Sequence, residues 1–386
     1  MFDPRQQIDS LRDALMNGKM PIGFMIGAGC PMSVISETGT PIIPGIGELT
    51  KAVIQKLMDD EKTNPLIQNI ILQFEKDKKV NPTIEDILSH LRSLRVVLGL
   101  DSVRGLNASD LDLLDSMICN YINDIVNKTL PLSNTPYRSL ACWANDVSRL
   151  FPVEVFTTNY DLLFEQACDA NHVPYFDGFV GGNKPFFDIK SVDEDVLPLR
   201  WVRVWKIHGS VNWYQKDGQG IYRSSEHVTG DVSRIIHPSH LKYRDSKRMP
   251  YLAMIDKLRM FLKGLTPVLV LCGYSFGDEH INEVIIQGLE SNNKAVAYAL
   301  MYDTMENNSR AVELGEKCSR LNVMARDGGV ITKTKGSWII SELDSAPVSK
   351  DKSIQWEKVK DNHYAMRFML GDFASFGRFL NDFNRV

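Results

Sequence analysis

Cysteine is scarce in this 386-residue chain: six residues, at positions 30, 119, 142, 168, 272 and 318, and no Cys-x-x-Cys pair among them. That spacing argues against a zinc ribbon and against a disulfide framework. Apolar neighbours around the cysteines suit a reducing compartment. A basic excess is missing as well. The chain has 44 Lys and Arg against 48 Asp and Glu, a net charge of −4, so it lacks the electrostatic footprint of a protein that binds nucleic acid unaided. No apolar run approaches the roughly 20 residues that span a bilayer, and the opening Met-Phe-Asp-Pro-Arg-Gln-Gln lacks a signal-peptide pattern. The expected location is cytoplasmic, with no membrane partner. Internal repeats and low-complexity tracts are also absent. What remains is globular in character, 44% hydrophobic and 24% charged, with length for about two or three domains.

Apolar runs at Ile22–Ile26, Val153–Phe156, Trp201–Ile207, Pro267–Cys272, Ala295–Tyr302 and Leu321–Ala325 predict buried strands. Helical spacing at 8–16, 139–150, 162–170, 251–263 and 279–289 alternates with them, and a C-terminal helix is expected over 368–383. This alternation predicts an α/β fold with a doubly wound, mostly parallel, Rossmann-like sheet. Between about residues 48 and 127 the period is helical throughout, with stretches at 66–74, 84–98 and 111–125. The expected organisation is therefore a Rossmann-like domain over 1–47 and 128–386, interrupted by a helical insertion over 48–127. Residues 173–198 and 217–249 read as irregular segments, the kind that often carries function. The second contains a basic run, Tyr243, Arg244, Lys247 and Arg248, whose default reading is a solvated surface.

Three motifs sit where strands end, the edge at which open α/β sheets bind ligands. Gly27-Ala28-Gly29-Cys30 follows the first strand; glycines there permit a tight turn and amides that hold a pyrophosphate, although a plain strand-exit turn needs the same residues. Thr158, Asn159 and Asp161 follow the second strand. Asn159 and Asp161, two apart, face the same way in an extended segment, and both also suit helix capping. His208 follows the third strand and titrates near neutral pH, while a buried structural histidine fits the same place. A fourth loop carries Gly273, Ser275 and Asp278, with Asp278 placed to cap the next helix. Asp303 ends a later strand, where it could bond a ribose or sit in a solvated turn.

Taken in order, these motifs resemble the sirtuin-like NAD-consuming family over roughly residues 20–47 and 150–330. The resemblance places Asn159 and His208 at the family's catalytic asparagine and histidine, and Asp161 at the aspartate near the nicotinamide end. It implies NAD as substrate, held by Gly27, Ala28, Gly29, Cys30, Thr158, Gly273, Ser275, Asp278 and Asp303. The four zinc-binding cysteines of protein-deacylating sirtuins have no counterpart here, so no zinc or other metal is expected. Pro31 stands where those enzymes have serine, and Pro44-Gly45-Ile46-Gly47 replaces their Pro-Asp-Phe-Arg. With Gly273–Ile281, these departures resemble bacterial defence proteins that hydrolyse NAD and act with a HerA-type hexameric ATPase against bacteriophage. The resemblance implies a homo-oligomeric ring docked on that ATPase, with DNA met only through the complex. Two other readings stay open: a scaffold or nuclease subunit that binds NAD or ADP-ribose without turning it over, and an NAD-dependent protein deacylase or ADP-ribosyltransferase.

Overall fold

The computed structural model describes residues 1–385 apart from 79–80, 99–101, 147, 195, 216–219, 226–231, 236–249, 344 and 348–351. The basic run at 243–248 lies outside the described residues. Nine strands build the main sheet: β1 (Ile22–Ile26), β2 (Glu154–Thr157), β3 (Tyr175–Phe176), β4 (Val202–Lys206), β5 (Val268–Cys272), β6 (Val296–Leu300), β7 (Leu321–Met324), β8 (Gly328–Ile331) and β9 (Thr334–Ser337). Their spatial order is β9-β8-β7-β6-β5-β1-β2-β4-β3. Pairing is parallel from β7 to β3 and antiparallel across β8 and β9. The chain runs outward from β1 through β2 to the edge strand β3, steps back to β4 between them, then crosses to β1's other flank as β5. That reversal makes β1 the topological switch point, where a crevice opens beyond the strands' carboxyl ends.

β1 and β5 are buried on both faces, which is why they read as continuous apolar runs rather than alternating ones. Successive side chains feed opposite cores. Ile22, Phe24 and Ile26 join one core with Val268 and Val270. Met25 joins the other with Leu269 and Leu271. Helices Pro4–Met16, Pro136–Asp146, Leu163–Ala170 and Phe373–Asn381 supply the first core; Tyr251–Lys263, Glu279–Ser291 and Ser309–Lys317 supply the second. The sheet is thus doubly wound.

Between β1 and β2 run helices Ile46–Asp59, Asn64–Lys76, Ile84–Val97 and Ala108–Val126. Their apolar stripes, including Val53, Ile67, Leu88 and Leu114, belong to the same continuous core as β1. Two of them begin with capping boxes, Thr83 with Asp86 and Asn107 with Asp110. Among the described residues, no helix is long and apolar enough to cross a membrane.

Several segments differ from the sequence reading. Residues 173–198, expected to be a loop, contribute β3, strands Phe179–Val180 and Phe186–Phe187, and helix Ile189–Glu194. The two latter strands join Gly209–Gln215, Ile221–Arg223 and Val232–Ile235 in a five-stranded sheet that the sequence reading lacked. Two-residue strands set among Gly and Pro carry no periodicity to detect. A three-stranded sheet, Ile340–Glu342, His363–Phe368 and Ile354–Lys360, was missed as well. It takes the first residue of the expected C-terminal helix. That helix spans Phe373–Asn381, because Asp372 caps it by accepting from the Ala374 and Ser375 amides.

Candidate active site

The exits of β1, β2, β4 and β5 meet around a cleft of about 250 Å³. The β1 and β5 exits touch through glycine. A Cβ on Gly27 would lie 2.4 Å from the Gly273 carbonyl oxygen, and one on Gly273, whose φ is +59°, would lie 2.5 Å from the Cys30 nitrogen. Only glycine fits either position. This contact and the turn itself consume backbone donors: Gly27 N–H donates to Cys272 O (2.9 Å) and Gly29 N–H to Gly273 O (2.9 Å) across it, and Cys30 N–H to Gly27 O (3.0 Å) within the turn. Three of the four amides expected to cradle a pyrophosphate are therefore already committed within the protein. Ala28 remains exposed on the cleft wall. Cys30 is buried, and its thiol donates to Cys272 O at 3.1 Å. Burial raises its pKa well above the usual thiol value. Its side chain thus sits in the core, away from the cleft lining.

The β2 exit is lashed to the β1 exit. Thr157 Oγ1 donates to Ile26 O (2.8 Å) and accepts from the Asn159 amide (3.0 Å). Asn159 Nδ2 donates to Gly27 O (3.1 Å). A carbonyl only accepts, so this bond fixes which end of the amide is nitrogen and leaves Oδ1 as an acceptor. Thr158, Asn159, Tyr160 and Asp161 all line the cleft. Asp161 Oδ1 accepts from the Leu163 amide (3.0 Å), the first residue of helix Leu163–Ala170, while the N-cap position itself is Leu162.

Beneath Asp161 lies a pair that the sequence reading gave no role. Lys206, 1% exposed, bonds Glu165 at 2.9 Å and donates to the Asp161 carbonyl. A lysine at the end of a wholly buried strand is the signal for it, since a buried ammonium needs a partner. Burial raises the Asp161 carboxyl to about 6, although the Lys206 charge and the Leu163 amide pull the other way.

His208 follows β4 and is buried. Its Nε2 lies 2.9 Å from Asp278 Oδ2. The carboxylate's other oxygen accepts from the His280 and Ile281 amides, capping helix Glu279–Ser291. Asp278 thus performs two tasks, and the seventy-residue gap to His208 left no trace of the second in the sequence. A carboxylate only accepts, so Nε2 carries the proton, and in the neutral ring Nδ1 holds the basic lone pair. The loop carrying Asp278 is braced by Asn282, which accepts from the Tyr274 hydroxyl (2.9 Å) and donates to Phe276 O (2.8 Å). That brace holds Phe276 at φ +57°, a conformation that aromatic residues rarely adopt. Ser275, exposed, lines the cleft mouth.

The structure thus brings Ala28, Thr158, Asn159, Asp161, His208, Ser275 and Asp278 to one cleft, with Gly27, Gly29 and Gly273 shaping its floor from behind. Asp303 is not among the lining residues. Its carboxylate accepts from the Thr304 amide and from Asn307 Nδ2, both at 2.7 Å, in an exposed turn. The inserted helices add Ile46, Leu49, Glu85 and Val126 to the wall; the sequence reading assigned no role to Glu85 or Val126.

Residues 153–320 match the family described as SIR2-like domain, and this stretch carries Asn159, Asp161, His208 and Asp278. Solved structures match too. One, described as "Structural Basis for the Mechanism and Regulation of Sir2 Enzymes", is 13% identical with a TM-score of 0.36, over 78% of this chain and 85% of its own. No curated protein matches the chain.

Proposed function

We propose that this cleft binds NAD and hydrolyses the bond between nicotinamide and ribose, yielding nicotinamide and ADP-ribose. The observation that carries the reading is the convergence of Asn159, Asp161 and the His208–Asp278 pair in one cleft, within the SIR2-like stretch. Among the described residues no lysine or arginine lines the cleft, whereas Glu85, Asp161 and Asp278 do. Such walls suit the cationic nicotinamide end and repel a diphosphate. The diphosphate is assigned to the mouth, near the Ala28 amide and the Ser275 hydroxyl.

Nicotinamide leaves as a neutral molecule by taking the electron pair of the broken C–N bond, so it needs no general acid. The sugar becomes oxocarbenium-like. Asn159 Oδ1 accepts from the attacking water or a ribose hydroxyl and fixes its position. His208 takes the proton, and the Asp278 carboxylate holds the ring and stabilises the imidazolium that forms. Asp161 adds negative potential beside the developing cation. By the same resemblance, we assign the protein to antiphage defence as a homo-oligomeric partner of a HerA-type ATPase, with the helical insertion at 48–127 as part of the wall.

Incubating NAD with the purified protein, alone and with that ATPase, tests the reaction. Nicotinamide and ADP-ribose should form in equal amounts. Release that requires an acetyl-lysine peptide would point to a deacylase, and bound but unconverted NAD to a scaffold.

A further inference from the structure

We infer that Glu85, set into the cleft by the inserted helices, is a specificity-determining residue that selects a positively charged nicotinamide ring over a neutral one; this rests on the NAD reading above. Glu85 lies in the first turn of helix Ile84–Val97, half-buried, on the cleft wall. The turn is pinned from both sides. Thr83 and Asp86 close a capping box, with the Thr83 amide donating to Asp86 Oδ2 (2.9 Å) and the Asp86 amide to Thr83 Oγ1 (3.2 Å). The Ile84 amide donates to Thr50 Oγ1 (2.9 Å), tying the turn to helix Ile46–Asp59. The position of Glu85 is therefore built into the insertion rather than left to a mobile loop.

Glu85 faces the chemistry. Glu85 shares the cleft lining with Tyr160, whose hydroxyl is held well above its usual range by burial first, with the Glu85 charge adding to it. The Tyr160 ring in turn lies 6.4 Å from that of His208. Beside Glu85 the insertion presents Ile46, Leu49 and Val126, an apolar wall against which a flat ring can pack. An apolar wall with one carboxylate at its edge matches a ring carrying a delocalised positive charge. Oxidised and reduced NAD differ in that charge and share the ADP-ribose part.

Equilibrium binding of NAD, NADH and ADP-ribose tests this in full-length Asn159→Ala protein, a background chosen to suppress turnover. The background should bind NAD about tenfold more tightly than NADH, the scale of one carboxylate–cation contact in a half-exposed cleft. Adding Glu85→Gln should cut that preference severalfold, keep ADP-ribose affinity within about twofold and leave the melting temperature little changed; Glu85→Asp should retain more of the preference. A side chain that serves only its helix would alter melting and leave the NAD-to-NADH ratio as it was. An undiminished ratio in Glu85→Gln overturns the inference while leaving the NAD reading intact. Failure of the background protein to bind either NAD or ADP-ribose overturns both.

Discussion

Asp278 offers a way to separate folding from chemistry, because its two oxygens do different work. Oδ1 caps helix Glu279–Ser291, and Oδ2 holds His208 at 2.9 Å. Asp278→Ala removes both. Losing an N-cap costs about 1 kcal/mol, and leaving the buried imidazole N–H unpaired costs about 1–3 kcal/mol. The expected destabilisation is therefore about 2–4 kcal/mol. Asp278→Asn keeps an acceptor for the cap, where Asn serves as well as Asp, so its cost should stay near 1 kcal/mol. Its amide nitrogen then faces His208 as a donor. The ring must answer with an unprotonated Nε2, which moves the proton to Nδ1 and takes away the basic lone pair. Nicotinamide release should accordingly fall by about 10²–10⁴-fold in a protein that remains folded. Urea unfolding and turnover, measured on both variants, check this together. Equal destabilisation by Asn and Ala, or near-normal turnover in Asp278→Asn, would refute the division of labour.

Asp161 gives a pH signature. Its carboxyl sits at about 6 in the folded protein against an ordinary 3.8, so between those values the native state holds more protons than the unfolded one and stability falls as pH rises. Asp161→Asn should therefore gain on the parent by roughly 2 kcal/mol between pH 4 and pH 7 in urea unfolding; a constant difference would contradict the raised carboxyl. Gly273→Ala, with φ +59° and a backbone nitrogen 2.5 Å from the new Cβ, should destabilise by about 2–4 kcal/mol. Gly47→Ala, which meets nothing within 4 Å, should be neutral or stabilise by up to about 1 kcal/mol, and thermal melts compare the two. Lys206→Met strands the buried Glu165 and should cost about 3–5 kcal/mol, much of it recovered in Lys206→Met/Glu165→Leu if the pair, rather than packing, is responsible.

The sheet was legible because its central strands are buried on both faces and so appear as unbroken apolar runs. The inserted helices were legible because one face of each is apolar. Among what escaped notice, the two-residue strands around Phe179 and Phe186 are too short to show a period, and the edge strand Ile354–Lys360 is mostly exposed. At the site, the strand-end residues were visible because strand ends are visible. Their partners were not. Asp278 meets His208, Gly273 meets Gly27, and Glu85 reaches the cleft only through tertiary packing, which local spacing does not encode. The glycine turn was visible as a turn, whereas its partner was not: Gly27 and Gly29 each donate an amide across to the β5 exit, a contact that spans the sheet rather than neighbouring residues.

The most direct test of the account is nicotinamide release from NAD by the intact protein, alone and with the proposed ATPase partner, beside Asn159→Ala and His208→Ala. The account predicts release by the parent and a loss of about 10²-fold or more in each variant, with circular dichroism showing both variants still folded at the assay temperature. Undiminished release from either variant, or none from the parent while NAD stays bound, would contradict it.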